Sequence, residues 1–163
     1  MKKFGIMFVG LLVALGVTAA TFAGWTDQLV INGSVATGEL DLQFTSCSCS
    51  DNENQYDVGV PSCAIKPGGK EANITVSNAY PGYVATCSLV ISNLGTIPAK
   101  ITALTVNNPN SEISVGLSGV SVGDIIPVPG TKTLTVTNTV NNNAQEETTY
   151  TYTITIDAGQ FNQ

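Results

Sequence analysis

Residues 147–157 read ETTYTYTITID, and their alternation decides the fold class. Tyr150, Tyr152, Ile154, Ile156 and Ala158 fall on one side of an extended chain, and Thr149, Thr151, Thr153, Thr155 and Asp157 fall on the other. A side-chain period of two is that of a strand, and β-branched threonines suit the outer face of a pleated sheet. The preceding block repeats the pattern: Leu134, Val136, Asn138 and Val140 alternate with Thr133, Thr135, Thr137 and Thr139. Working outward, further strands are predicted over residues 113–117, 99–107, 83–93 and 72–78, with earlier ones over 40–44 and 29–35. Turn residues separate them: Pro67-Gly68-Gly69, Pro81-Gly82, Gly95-Thr96-Ile97-Pro98, Asn107-Asn108-Pro109-Asn110, Pro129-Gly130 and Asn141-Asn142-Asn143. No amphipathic helix of three turns is visible. About eight short strands at regular spacing predict an all-β chain, a single β-sandwich of jelly-roll or immunoglobulin-like kind. The strand count leaves both topologies open.

Composition narrows the function. A length of 163 residues fits one domain, and 43% apolar residues supply a core. Only 11% of the residues are charged, 20 are Thr, and there is neither His nor Arg. A Ser-His-Asp or Cys-His machine, an HExxH zinc site and His-ligated haem or copper cannot be built from this chain alone. The formal charge of −6, with no guanidinium for phosphate or guanine, argues against nucleic acid as a partner. The chain is expected to be no enzyme and to carry no cofactor.

The first stretch reads as an export signal. Lys2 and Lys3 precede an apolar run over residues 4–20, and small residues follow at Ala19, Ala20 and Ala23. Cleavage is expected after Ala23, with Thr21 at the −3 position, or alternatively after Ala19, with Val17 there. A retained anchor is the rival reading, because about 17 apolar residues approach the short limit for a membrane span. Cleavage after Gly5, as in type IV prepilins, is disfavoured because Gly10 stands where such signals carry an acid. Removing residues 1–23 leaves four Lys against 12 Asp and Glu, a charge of −8 over 140 residues. Membrane contact is thus expected only through the signal, and the mature chain is expected outside the cell. The predicted division is 1–23 signal peptide, 24–38 N-terminal strand segment and 39–163 sandwich.

Cys47, Cys49, Cys63 and Cys87 in an exported chain predict two disulfides. Pairing Cys47 with Cys49 would close a small strained ring. Two arrangements stay open: Cys47–Cys63 with Cys49–Cys87, or Cys47–Cys87 with Cys49–Cys63. The spacing is not that of a zinc ribbon, so no thiolate metal site is expected. Asp51, Glu53 and Asp57 are candidate calcium ligands, although Asn52, Asn54 and Gln55 around them make a solvated loop the plainer reading. Asn32-Gly33-Ser34 and Asn73-Ile74-Thr75 are N-glycosylation sequons.

Residues 25–44 read WTDQLVINGSVATGELDLQF: an aromatic-Asp start behind an export signal, a short strand, then a Gly-x-Leu-Asp-Leu block. This order resembles the TasA/camelysin family of biofilm-matrix fibre proteins and the related bundling-pilus subunits of archaea. Residues 78–83 (NAYPGY), 93–101 (NLGTIPAKI) and 147–157 are similar to the same group. The resemblance implies a jelly-roll subunit that polymerises by donor-strand complementation, the N-terminal segment of one copy filling a gap in the next. Camelysin-like members are also classed as metallopeptidases, an activity at odds with a chain that has no His.

The residues support a donor strand independently. Leu29, Ile31, Gly33 and Val35 share one face, with Trp25 ahead of them. An N-terminal strand with an apolar face must bury it, in its own sandwich or in a neighbour's. Residues 133–140 and 148–158 also lack the Lys and Pro that blunt sheet edges. The leading expectation is a secreted structural subunit of an extracellular pilus or matrix fibre, its partners identical copies. The alternative is a monomeric surface module for carbohydrate or protein, with Tyr56, Tyr80 and Tyr83 as its aromatic candidates.

Overall fold

The computed structural model describes Val9 and residues 27–162. The export signal predicted over residues 1–23, Val9 apart, lies outside the described residues, as does Trp25. Among the described residues, no helix is long and apolar enough to cross a membrane. The chain divides into two units, Met1–Ala36 and Thr37–Gln163. In the first, residues 27–36 form no strand within this chain.

The second unit holds nine strands: β1 (Leu42–Asp51), β2 (Val60–Ile65), β3 (Ala72–Ser77), β4 (Val84–Asn93), β5 (Ala99–Asn107), β6 (Ile113–Ser118), β7 (Ile125–Ile126), β8 (Gly130–Val140) and β9 (Thr153–Gln160). They make a four-stranded sheet in the order β1-β4-β8-β6, a two-stranded sheet β2-β3, and a three-stranded sheet β7-β5-β9. All the pairings are antiparallel. The fold is therefore the all-β sandwich expected, with its core between the large sheet and the two smaller ones.

The alternation explains the packing. On β4, Ala85, Cys87, Leu89 and Ile91 point inward, and the register sets Cys87 opposite Val136 and Leu89 opposite Leu134 on β8. Ile101 and Ile126, from β5 and β7, close on the same cluster from the facing sheet. These side chains are nearly all removed from water, and the Leu, Ile and Val among them are worth about 1.5–3 kcal/mol each. Cross-strand neighbours of this kind fix register, because a one-residue slip would turn the apolar set outward.

Several elements differ from the sequence reading, among them residues 29–35, which form no strand within this chain, and the short β7, which is new. The strand predicted to end at Phe44 continues to Asp51, through a bulge between Phe44 and Ser46. The extra residue, Thr45, changes the parity, so Leu42 and Phe44 face inward before it and Cys47 and Cys49 after it. Asp51 thus ends a strand instead of sitting within a free loop. β2 is new: Pro61, Cys63 and Ile65 alternate inward against β3. The last strand starts at Thr153, not near Thr148, because its partner β5 ends at Asn107 opposite Thr153. Upstream the alternation of exposure persists through Tyr150 and Tyr152 without a ladder.

Candidate functional site

The two small sheets do not pair with each other, and an apolar groove opens beside them. Its floor is Leu42 and Phe44 of β1 and Ile91 of β4. Ile156 and Ala158 of β9 line one side, and Gly69 and Lys70, in the turn leading into β3, line the other. Leu40 and Gln43 complete the lining, and the open cavity measures about 260 Å³. β9 is the last strand of its sheet and β3 the last of its pair, so each carries one edge with no strand partner among the described residues. Lys70 donates to Asp41 (2.5 Å) and to the Leu42 carbonyl (2.8 Å), and this hydrogen bond holds the Asp41 carboxyl below the usual carboxylate range.

The inner row of β4 is buried, whereas Leu42 and Phe44 of β1 are only half-buried, so the groove opens over the first residues of β1. The alternation by itself places Leu40, Leu42 and Phe44 on an early strand and Ile156 and Ala158 on a buried face. That they line one cleft follows from strand order, which periodicity does not encode.

Immediately before β1 the chain is clamped. Leu94 N–H donates to the Asp41 carbonyl (2.7 Å), Thr96 N–H to the Glu39 carbonyl (2.8 Å), and Glu39 N–H to Thr96 Oγ1 (2.8 Å). Gly95 is packed so closely that a Cβ there would lie 2.3 Å from the Glu39 carbonyl oxygen, and one on Gly38 would lie 2.2 Å from Ile97 Cγ2. Both residues must be glycine for this fit. Asn93, almost fully buried, holds the same corner by donating to the carbonyls of Ile97 (2.9 Å) and Ile126 (3.0 Å) and accepting from Gly95 N–H (3.0 Å).

The predicted strand segment is bare within this chain. Leu29, Ile31 and Val35 are 93%, 96% and 95% exposed, and a Cβ on Gly33 would touch nothing. Large aliphatic side chains spaced by two, with no cover at all, are an uncommon feature in a folded protein.

The structure brings the three candidate calcium ligands together: one carboxylate oxygen from each of Asp51, Glu53 and Asp57 lies within 4.8 Å of the others. Two of these groups already serve the loop. Asp51 accepts from Glu53 N–H (3.1 Å) and from the Tyr83 hydroxyl (3.0 Å), and Glu53 accepts from Val58 N–H and Gly59 N–H (both 2.9 Å). An acidic loop closed by its own amides is an ordinary structural device, and it carries no metal assignment here.

Tyr83 is fully buried, and burial followed by its bond to Asp51 pushes its hydroxyl pKa far up. It packs edge-on against Tyr80 with ring centroids 5.6 Å apart. Of the three aromatic candidates for a binding face, only Tyr56 and Tyr80 are exposed. Tyr83 instead anchors the Pro81-Gly82 turn to the core.

Of the two disulfide arrangements left open, the structure has Cys47–Cys63 and Cys49–Cys87. Cys49 and Cys87 face each other directly across the β1–β4 ladder. Cys47–Cys63 joins β1 to β2, across a boundary that no ladder spans. Two disulfides fit an oxidising compartment. Both sequon asparagines, Asn32 and Asn73, are exposed.

No family model matches this chain, and no curated protein and no solved structure matches it either.

Proposed function

We infer that the chain is a structural subunit of an extracellular pilus or biofilm-matrix fibre, polymerising head-to-tail by strand donation. In this reading residues from about Gly24 to Val35 of one copy enter the groove between β9 and the β2–β3 turn of the next. The observation that carries it is a matched pair within one chain. One part is a largely apolar cleft beside β9, an end strand of its sheet, and the other is a fully exposed segment whose Leu29, Ile31 and Val35 share one face.

The physics is that of strand addition: ladder bonds supply affinity and alternate side chains supply specificity. Burying Leu29, Ile31 and Val35 contributes roughly 5–9 kcal/mol at about 1.5–3 each. Gly33 falls on the same face and lets an acceptor backbone come close. Asn32 and Ser34 take the opposite face, toward solvent, where a glycan on Asn32 would not obstruct insertion. Because donor and acceptor are different surfaces, the contact is heterologous and builds an open filament instead of a closed dimer. No histidine, cofactor or catalytic constellation is needed for this role.

The test is deletion and restoration. A mature chain lacking residues 24–35 is expected to be secreted yet unable to form filaments visible by electron microscopy. A synthetic peptide of those residues should bind it and yield soluble, more heat-resistant monomer. Normal filaments from the truncated chain would refute the reading.

A further inference from the structure

We propose that the clamp over residues 38–41 is what forces the strand to be donated to another copy instead of folding back into its own groove. The inference rests on the strand-donation reading above and concerns what selects the partner. Leu40, which lines the groove, is only five residues beyond Val35, so the nearest acceptor to any donor segment is its own. At a subunit concentration in the micromolar range, a flexible tether would make self-insertion win outright. Its effective concentration would be about millimolar, roughly a thousandfold higher.

The tether is not flexible. Asp41 and Glu39 are held by backbone bonds to Leu94 and Thr96, and Glu39 is held again by the Thr96 hydroxyl. Gly38 is pressed against Ile97, and Gly95 leaves the Glu39 carbonyl no room to move inward. These bonds continue the β1–β4 pairing beyond Leu42, keeping the chain in the plane of the large sheet. Only Ala36 and Thr37 remain as a hinge.

Two free residues are too few. Val35 and Gly38 are three positions apart, so the chain between them spans about 10 Å at full stretch. Packed sheets lie about 10 Å apart face to face. Self-insertion would have to cross from the large sheet to the covering layer and also reverse direction. The crossing alone uses the whole reach. Nor does Ala36-Thr37 carry the Gly, Pro or Asn that a tight reversal uses. An effective concentration falls to near zero when the linker cannot span the sites, which leaves the groove of a second copy as the available acceptor.

The discriminating variant lengthens the hinge and leaves donor and groove intact. A flexible insert of about ten Gly and Ser residues between Ala36 and Thr37 of the mature chain is compared with the parent and with the chain lacking residues 24–35. Expected is a soluble monomer at concentrations where the parent pellets as filament, with a thermal midpoint above that of the truncated chain. Adding Ile31→Asp to the lengthened chain should return its midpoint to that of the truncated one. If the lengthened chain polymerises at the parent's critical concentration while the truncated chain does not, the hinge inference is overturned and strand donation stands. If the truncated chain also polymerises, both fall.

Discussion

Replacing Ile31 with Ala separates a residue that stabilises a joint from one that stabilises a fold. In the chain by itself Ile31 is 96% exposed, so its removal takes no apolar surface from any core. The dissociated subunit should therefore melt at the same temperature as the parent. In the proposed filament joint the same side chain would enter the neighbour's groove, lined by Leu42, Phe44 and Ile91, and trimming a buried Ile to Ala costs about 2–5 kcal/mol. A central figure of about 3 kcal/mol weakens each joint roughly 100-fold, since about 1.4 kcal/mol is tenfold. The critical concentration for assembly should rise by that factor, read by pelleting a dilution series of mature protein and assaying the supernatant. Val30→Ala is the matched control: Val30 is also exposed, but its side chain alternates to the opposite face, and its effect should be several-fold smaller. An unchanged critical concentration for Ile31→Ala refutes the buried role of that face. A lowered melting temperature of the dissociated subunit refutes it differently, by placing Ile31 in its own domain.

Three further outcomes are expected. The Cys47–Cys63 and Cys49–Cys87 bridges lie 16 and 38 positions apart, so removing them as Ser pairs should lower unfolding stability by about 3 and about 4 kcal/mol in urea titrations; losses below about 1 kcal/mol would mean the folded chain does not depend on them. Asn93→Ala should cost about 2–4 kcal/mol in the same assay, because the carbonyls of Ile97 and Ile126 and the Gly95 amide lose a buried partner together; a neutral result would contradict the corner's role. The Asp41 carboxyl is depressed chiefly by its bond to Lys70, and that of Asp124 chiefly by Ser121 N–H and then Lys132. A depressed carboxylate stabilises fully above its unfolded pKa, about 3.9, and loses that contribution as pH falls through the folded value. Stability should thus be level above about pH 5 and decline below pH 4, less steeply in Asp124→Asn; a decline beginning near neutrality would assign it to other groups.

What the sequence revealed and what it hid divide along one line. Strands whose neighbours keep a strict period of two were legible: residues 99–107 match β5 end to end, and Leu134, Val136 and Asn138 are buried as their alternation requires. Where a residue is inserted, the period fails. Thr45 shifts the parity within β1, so the row Leu42, Phe44 does not continue in step to Cys47, Cys49, and the strand looks finished at Phe44. β2 escaped for a compositional reason, since Val-Pro-Ser-Cys-Ala-Ile holds one proline and three small residues and has little strand propensity. The disulfide pairing is fixed by register, with Cys49 opposite Cys87, and a single chain's spacing cannot supply a register. The apolar face of Leu29, Ile31 and Val35 was plain from spacing. Its counterpart was not, because the groove depends on which strands fail to neighbour each other.

The same gap explains why a disulfide sits where it does. A two-stranded hairpin is marginal in water unless a further strand or a packed layer supports it. β2 and β3 form such a pair, with no ladder to either larger sheet. Ala72 and Ile74 give it an apolar footing on the core, Phe44 N–H donates to the Gly69 carbonyl at its turn (2.7 Å), and Lys70 grips Asp41 and Leu42. Cys47–Cys63 is the covalent tie that stands in for the missing ladder neighbour. One border of the groove is therefore held in place before any strand arrives. On the strand-donation proposal, a groove held open in advance would add no ordering cost to the joint, and the burial of Leu29, Ile31 and Val35 would go to affinity instead of to building the acceptor. On the same proposal, a sandwich without this tie would be free to close the hairpin over the cleft, and covalent support of the hairpin would keep the acceptor open for a strand from another copy.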